Sequence, residues 1–134
     1  MKIYFAGSIR GGRDDQETYS KIIKYLEKYG KILTEHVGFI NLKETETDKY
    51  IYERDVNWIK EADVLIAEVS TPSLGVGYEI AFAEKLNIPI LCLFNQNSNR
   101  ALSAMITGNN KLKVIKYNNY EEAINLIDDF FNTL

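Results

Sequence analysis

Residues 64–84 read VLIAEVSTPSLGVGYEIAFAE, and the pattern changes period halfway along. Val64 to Val69 form a short apolar run of the kind that fills a buried parallel strand. After it, Val76, Ile80, Ala83 and Leu86 recur at helical spacing, so a helix is expected to about Asn87. Pro72, Ser73, Gly75 and Gly77 lie between the two periods and mark residues 71–77 as a turn, where backbone can approach a ligand closely. Glu79 then falls near the helix start, where the dipole favours a carboxylate by about 0.3–1 kcal/mol. At the carboxyl end of a strand, such a carboxylate can act as nucleophile or base. For this stretch alone, a plain helix-start glutamate is the simpler reading.

The rest of the chain repeats the same alternation. Upstream, Ile3-Tyr4-Phe5-Ala6 reads as a central strand and ends in Gly7-Ser8-Ile9-Arg10-Gly11-Gly12-Arg13. Asp14 and Asp15 are expected to cap a helix with the apolar face Ile22, Ile23, Leu26 and Tyr29, and Gly30 to end it. Ile32-Leu33-Thr34 gives a second strand, followed by Glu35-His36-Val37. Residues 41–48 read as a polar surface loop, and residues 49–62 as a helix with Tyr52, Val56 and Ile59 on one side. Downstream come a strand at 88–94, a polar loop at 95–99 and a short helix at 100–106 that ends at Gly108. A last strand at 112–117 precedes a helix capped by Asn119, with Ala123, Leu126, Ile127 and Phe130 on its apolar face.

This order predicts one α/β domain over residues 1–134, a doubly wound Rossmann-like or flavodoxin-like sandwich. Its five parallel strands are expected in the order 2-1-3-4-5. Ligands in such sheets sit where the strand order reverses, here between the first and third strands. The loop at 7–13 and the turn at 71–79 should therefore face each other, which raises Glu79 above an ordinary cap.

With 134 residues the chain can bury a real core. A net charge of −3 argues against a binder of polymeric nucleic acid, which usually needs a basic face. Cys92 is the only cysteine, so no internal disulfide forms and a reducing cytoplasm is the expected compartment. It lies in an apolar run, where it reads as a small buried hydrophobe. No segment reaches the ~20 apolar residues of a membrane span, and no signal peptide is expected. One histidine and one cysteine leave no zinc spacing.

The loop at 7–13 offers three glycines, Ser8 and two guanidinium groups beside a helix N-terminus, an arrangement that can hold a phosphate. It matches neither the Walker spacing nor Gly-x-Gly-x-x-Gly, and tight packing alone also explains such a turn. Asp55 sits mid-helix, where aspartate is a poor helix former. It is either simply exposed or a second carboxylate near Glu79, the pairing that cleaves glycosidic bonds. His36 is open to a ligand contact or a hydrogen-bonded structural role. Ser103 reads as a surface helix residue, and Tyr4 and Tyr19 as packing residues.

Taken together, several segments resemble the 2′-deoxynucleoside 5′-phosphate N-hydrolases, relatives of the nucleoside 2-deoxyribosyltransferases. They include Tyr4-Phe5-Ala6-Gly7-Ser8-Ile9-Arg10-Gly11-Gly12-Arg13, Leu33-Thr34-Glu35-His36-Val37 and Glu53-Arg54-Asp55 with Trp58. Pro72-Ser73-Leu74-Gly75-Val76-Gly77-Tyr78-Glu79 and Leu102-Ser103-Ala104-Met105-Ile106 complete the match, which spans nearly the whole chain. The resemblance implies hydrolysis of a deoxyribonucleoside 5′-monophosphate to free base and 2-deoxyribose 5-phosphate. It makes Glu79 the nucleophile of a covalent deoxyribosyl ester, Asp55 its partner near the leaving base, and Tyr4 the residue that holds Glu79. The backbone of Gly7, Ser8, Ile9, Arg10 and Gly11, with Ser73 and Gly75, would bind phosphate and sugar, and Tyr19 and His36 would line the pocket. Ser103, Ala104 and Met105 would reach the phosphate in a neighbouring subunit, which implies a homodimer. No metal or organic cofactor is implied. Ala6 stands where relatives often carry cysteine and Arg54 where glutamine is common, and neither is expected to touch a proposed catalytic group. The alternatives are a deoxyribosyltransferase and a non-catalytic nucleotide-binding module on the same fold.

Overall fold

Residues of strand β1 (Lys2–Ala6) alternate between two cores. Ile3 and Phe5 pack on one side of the sheet, Tyr4 and Ala6 on the other, as the two-residue period of a strand requires. The structure is a computed structural model, and residues 1–9, 15–39 and 45–134 are described. The elements after β1 are α1 (Gln16–Leu26), β2 (Lys31–Ile32), α2 (Asp48–Glu61), β3 (Val64–Glu68) and α3 (Leu74–Lys85). Then follow β4 (Ile90–Asn95), α4 (Ala104–Thr107), β5 (Lys113–Tyr117) and α5 (Tyr120–Asn132). All strand pairs are parallel, in the order β2-β1-β3-β4-β5 that the alternation predicts. Ile3 lies opposite Val64 and Ala6 opposite Ala67, so the carboxyl ends of β1 and β3 are neighbours.

One core joins Ile3, Phe5, Ile66 and Leu93 to Ile22 and Leu26 of α1 and Ile127 and Phe130 of α5. The other joins Tyr4, Leu65 and Cys92 to Ile59 of α2 and Ile80 and Ala83 of α3. Burial pushes the Cys92 thiol up to about 12, so it packs as a hydrophobe, as its setting in the sequence suggests. The Asn119 side chain accepts from the Glu122 N–H at 2.9 Å and caps α5 as expected. Among the described residues, no helix is long and apolar enough to cross a membrane.

Several boundaries and caps differ from the sequence reading, among them the start of the short helix, Ala104 rather than residue 100, and of the fourth strand, Ile90 rather than residue 88. Helix α3 begins at Leu74, because the Ser73 hydroxyl accepts from the Val76 N–H at 3.3 Å. Gly75 and Gly77 are therefore helical residues rather than turn residues. Asp15 stands at the N-cap of α1, yet its side chain makes no capping bond and instead accepts from the Thr71 hydroxyl at 2.6 Å. Asp14 and residues 41–44 of the expected polar loop lie outside the described residues. Helix α1 also stops at Leu26, ahead of Gly30. Gly30 is needed for another reason: a Cβ there would lie 2.2 Å from the Met1 carbonyl oxygen.

Strand β2 is only Lys31–Ile32, and the side chain of Thr34 takes over where its ladder ends. The Thr34 hydroxyl accepts from the Phe5 N–H at 2.9 Å and donates to the Phe5 carbonyl at 2.6 Å. Replacing Thr34 by valine keeps the shape but leaves both buried backbone groups of Phe5 unpaired. The expected loss is about 2–3 kcal/mol of unfolding free energy, read from the midpoint of a urea titration.

Candidate active site

Parallel pairing of β1 and β3 brings the residues that follow them together, and α2 and α3 cover the same side of the sheet. Tyr4 points from β1 into this layer and is 2% exposed. Its hydroxyl hydrogen-bonds the carboxyl of Glu79 on α3. Asp55 on α2 is close enough to act on both: its negative charge raises the Glu79 carboxyl and the Tyr4 phenol. Asp55 and Glu79 line one cavity of about 270 Å³, with Tyr52, Ile59, Gly75 and Tyr78 among its walls. Of the two readings the sequence allows for Asp55, simple exposure does not hold: its side chain is 20% exposed and lies in the cavity of Glu79.

Glu79 is pushed up to about 8, chiefly by loss of water and next by the Asp55 charge. The Tyr4 hydrogen bond and the Arg54 guanidinium pull in the opposite direction without cancelling the rise. In the free protein Glu79 therefore keeps its proton at neutral pH. This corrects the expectation that the helix start holds it ionised. Glu79 lies more than a full turn inside α3, and the dipole effect fades beyond the first turn. Desolvation beside a second carboxylate decides instead. Two acids whose environments push them apart can divide the work of proton donor and charged group between them.

Residues 7–9 follow β1. Ser8 is fully buried, and its hydroxyl has no hydrogen-bond partner among the described residues. A buried polar atom in that condition is suited to receive a ligand group. Tyr19 is fully buried too, and its hydroxyl accepts from the Ser8 N–H at 3.1 Å. Its ring also lies 3.0 Å from where a Cβ on Gly7 would stand, so glycine fits there through close approach. Ile9 is partly buried against the α1 core. Arg10 and Gly11 lie outside the described residues. His36 sits in a short 3-10 turn (Glu35–Gly38), its Nε2 3.4 Å from the Arg54 guanidinium and its ring 5.8 Å from that of Trp58.

Ser73, besides capping α3, lies on a second and larger cavity of about 670 Å³ that also holds Ser103 and Met105. Ser103 caps α4 by accepting from the Met105 N–H at 3.2 Å, and Ala104 opens that helix. Within one chain the structure does not bring Ser103, Ala104 and Met105 to the cavity of Asp55 and Glu79.

Sequence reading missed two contributors. Arg54 was expected to touch no catalytic group, yet its Nε donates to Asp55 Oδ1 at 2.8 Å. Its one-turn spacing to Trp58, whose ring it covers at 4.9 Å, is the signal that was available. Glu68, read only as part of the β3 run, is a fully buried carboxyl. It accepts from the Ser70 N–H at 2.6 Å and from the Tyr117 hydroxyl, and so fixes the loop entering α3. Burial raises Glu68 above the usual carboxylate range. Among the described residues, no three His, Cys, Asp or Glu side chains are grouped to hold a metal ion.

The chain matches the model of the family described as nucleoside 2-deoxyribosyltransferase over residues 3–126. It is 46% identical over 140 residues to a 5-hydroxymethyl-dUMP N-hydrolase of Danio rerio, covering 100% of this chain and 98% of that protein. It is 53% identical over 111 residues to a 5-hydroxymethyl-dUMP N-hydrolase of Rattus norvegicus, covering 79% of this chain and 68% of that one. Among solved structures, a Clostridium botulinum CMP N-glycosidase superposes with a TM-score of 0.70 at 21% identity, covering 97% of this chain and 99% of that chain. That likeness shows a common fold.

Proposed function

The chain belongs to the nucleoside 2-deoxyribosyltransferase family and is an N-glycosidase, and from that premise we propose that it hydrolyses 2′-deoxyribonucleoside 5′-monophosphates to free base and 2-deoxyribose 5-phosphate. The observation that carries this reading is the group Tyr4, Asp55 and Glu79, in which Glu79 holds a proton to about pH 8 beside a second carboxylate. A departing base needs a proton, and the sugar it leaves needs a negative oxygen. Passing the proton of the pair to the base, by way of Asp55, meets both needs. The C1′–N bond breaks, a Glu79 oxygen bonds C1′, and Tyr4 holds that carboxylate in line. Water then attacks C1′, gives its proton to Asp55 and releases Glu79. The absence of a 2′-hydroxyl eases the build-up of positive charge on the sugar. In this reading Gly7, Ser8, Ile9, Arg10, Gly11, Ser73 and Gly75 bind phosphate and sugar, and the Ser8 hydroxyl, without a partner among the described residues, supports it. His36 lines the pocket. A reducing cytoplasm suits a chain whose one cysteine is buried.

Chromatography of each deoxynucleoside monophosphate after incubation with the protein tests this, with ribonucleotides and unphosphorylated nucleosides alongside. Base released only from the deoxy monophosphates is the expected result. Base exchange on nucleosides would make it a transferase, and binding without release a nucleotide-binding module.

The same reading makes the protein a homodimer in which Ser103, Ala104 and Met105 reach the neighbour's phosphate. Leu74 is 97% exposed and Met105 81%, beside an apolar cavity that a second copy would cover. Met105→Glu is expected to sediment as a monomer at concentrations where the parent is a dimer, and to need several-fold more monophosphate for half-maximal rate. A variant that remains dimeric with the parent's KM would remove this surface from the interface.

A further inference from the structure

We propose that Arg54 is a positioning residue of this site, clamped so that its guanidinium fixes the Asp55 carboxylate and balances the charge of the Asp55–Glu79 pair. The inference rests on the hydrolytic reading above. Side chains at adjacent helix positions ordinarily diverge by about 100° and do not face each other. Arg54 nevertheless bends to Asp55, with Nε 2.8 Å from Oδ1. Two neighbours hold it there. The Trp58 ring lies one turn along α2, 4.9 Å beneath the guanidinium, and His36 Nε2 stands 3.4 Å from a terminal nitrogen. Both charged side chains are mostly buried, at 16% and 20% exposure, so water screens this pair far less than a surface salt bridge.

The arrangement matters because of what else faces Glu79. Tyr4 comes from β1 and Asp55 from α2, while Asp48 and Tyr52 of α2 and Tyr78 of α3 share its cavity. All of these are acids. Among the described residues that act on Glu79, Arg54 alone brings positive charge, and it draws both Glu79 and Tyr4 toward their ionised forms. A site that must make Glu79 an anion during each turnover therefore depends on a cation that neither moves nor dissociates. Arginine meets that need, since it stays protonated and its planar fork suits a carboxylate on one edge and an aromatic face below.

The test is the pH dependence of Arg54→Gln. The alkaline limb of kcat/KM, on which the Asp55–Glu79 pair loses its proton, is expected to move up by about one pH unit. That raises the ratio of the rate at pH 9 to that at pH 7 about fivefold, while kcat falls across the range because Asp55 is no longer oriented. The Glu79 carboxyl carbon, followed by NMR in the free protein, should titrate at correspondingly higher pH. Arg54→Met keeps the stem packed on Trp58 and should move the titration the same way. Arg54→Lys should restore the midpoint while kcat remains lowered, because lysine lacks the fork that orients Asp55. A merely structural Arg54 would lower the melting temperature and leave every midpoint in place, and that result would overturn the proposal. If the parent protein released no base from any deoxynucleoside monophosphate, the hydrolytic reading would fail instead, while the NMR titration would still report whether Arg54 sets the charge balance.

Discussion

Replacing Glu79 by glutamine lowers base release at least about a thousandfold and leaves the protein folded. Glutamine keeps the size of the side chain and a hydrogen-bonding oxygen for Tyr4, but it cannot form the ester. A companion effect has the opposite sign. Glu79 ionises at about 8 in the folded protein, against an ordinary value of 4.5. Its protonated form therefore adds stability that is full at low pH and is lost as pH rises from about 4.5 through 8. Glutamine has no proton to lose. The variant should melt close to the parent at pH 5 and above it at pH 8–9, by calorimetry at each pH. A rate near the parent's would remove Glu79 from the chemistry. A melting difference that does not grow with pH would remove it from the desolvated pair.

Asp55→Asn is expected to lower base release by about 100- to 10,000-fold, the usual span for a positioned acid or base. It also removes a charge that raises Glu79. The alkaline limb of kcat/KM should accordingly move to lower pH, opposite to the shift expected for Arg54→Gln. The Arg54 fork meanwhile loses its anionic partner at 2.8 Å, so a lower melting temperature accompanies the kinetic loss. Stopped assays across pH 5–9 separate the two effects. An unchanged rate, or a limb that rises instead of falling, would exclude Asp55 as the group paired with Glu79.

Much of the architecture was legible in the chain itself. Apolar runs of strand length at residues 3, 64 and 90 alternate with helical stripes, and an alternating α/β chain has few ways to bury both sheet faces. Asn119 announced its helix because a cap is a local hydrogen bond between residues close in sequence. Misplaced boundaries have the same origin, read in reverse. Glycines at 75 and 77 suggested a turn, and the Ser73 cap overrode them. Asp15 looked like a cap, but the Thr71 hydroxyl, 56 positions away, took its carboxylate.

The sequence by itself determined the element order, the strand arrangement and the convergence of the β1 and β3 loops, since these follow from periodicity and from the handedness of parallel crossovers. It also marked Glu79, Asp55 and Tyr4 as worth attention through the family resemblance. Only the tertiary structure decided the protonation of Glu79, the supporting position of Tyr19 and the contact of Arg54 with Asp55. Each depends on water removed and charges brought together by elements distant in the chain or by a side chain bent against its usual direction. A local pattern of residues carries no record of either.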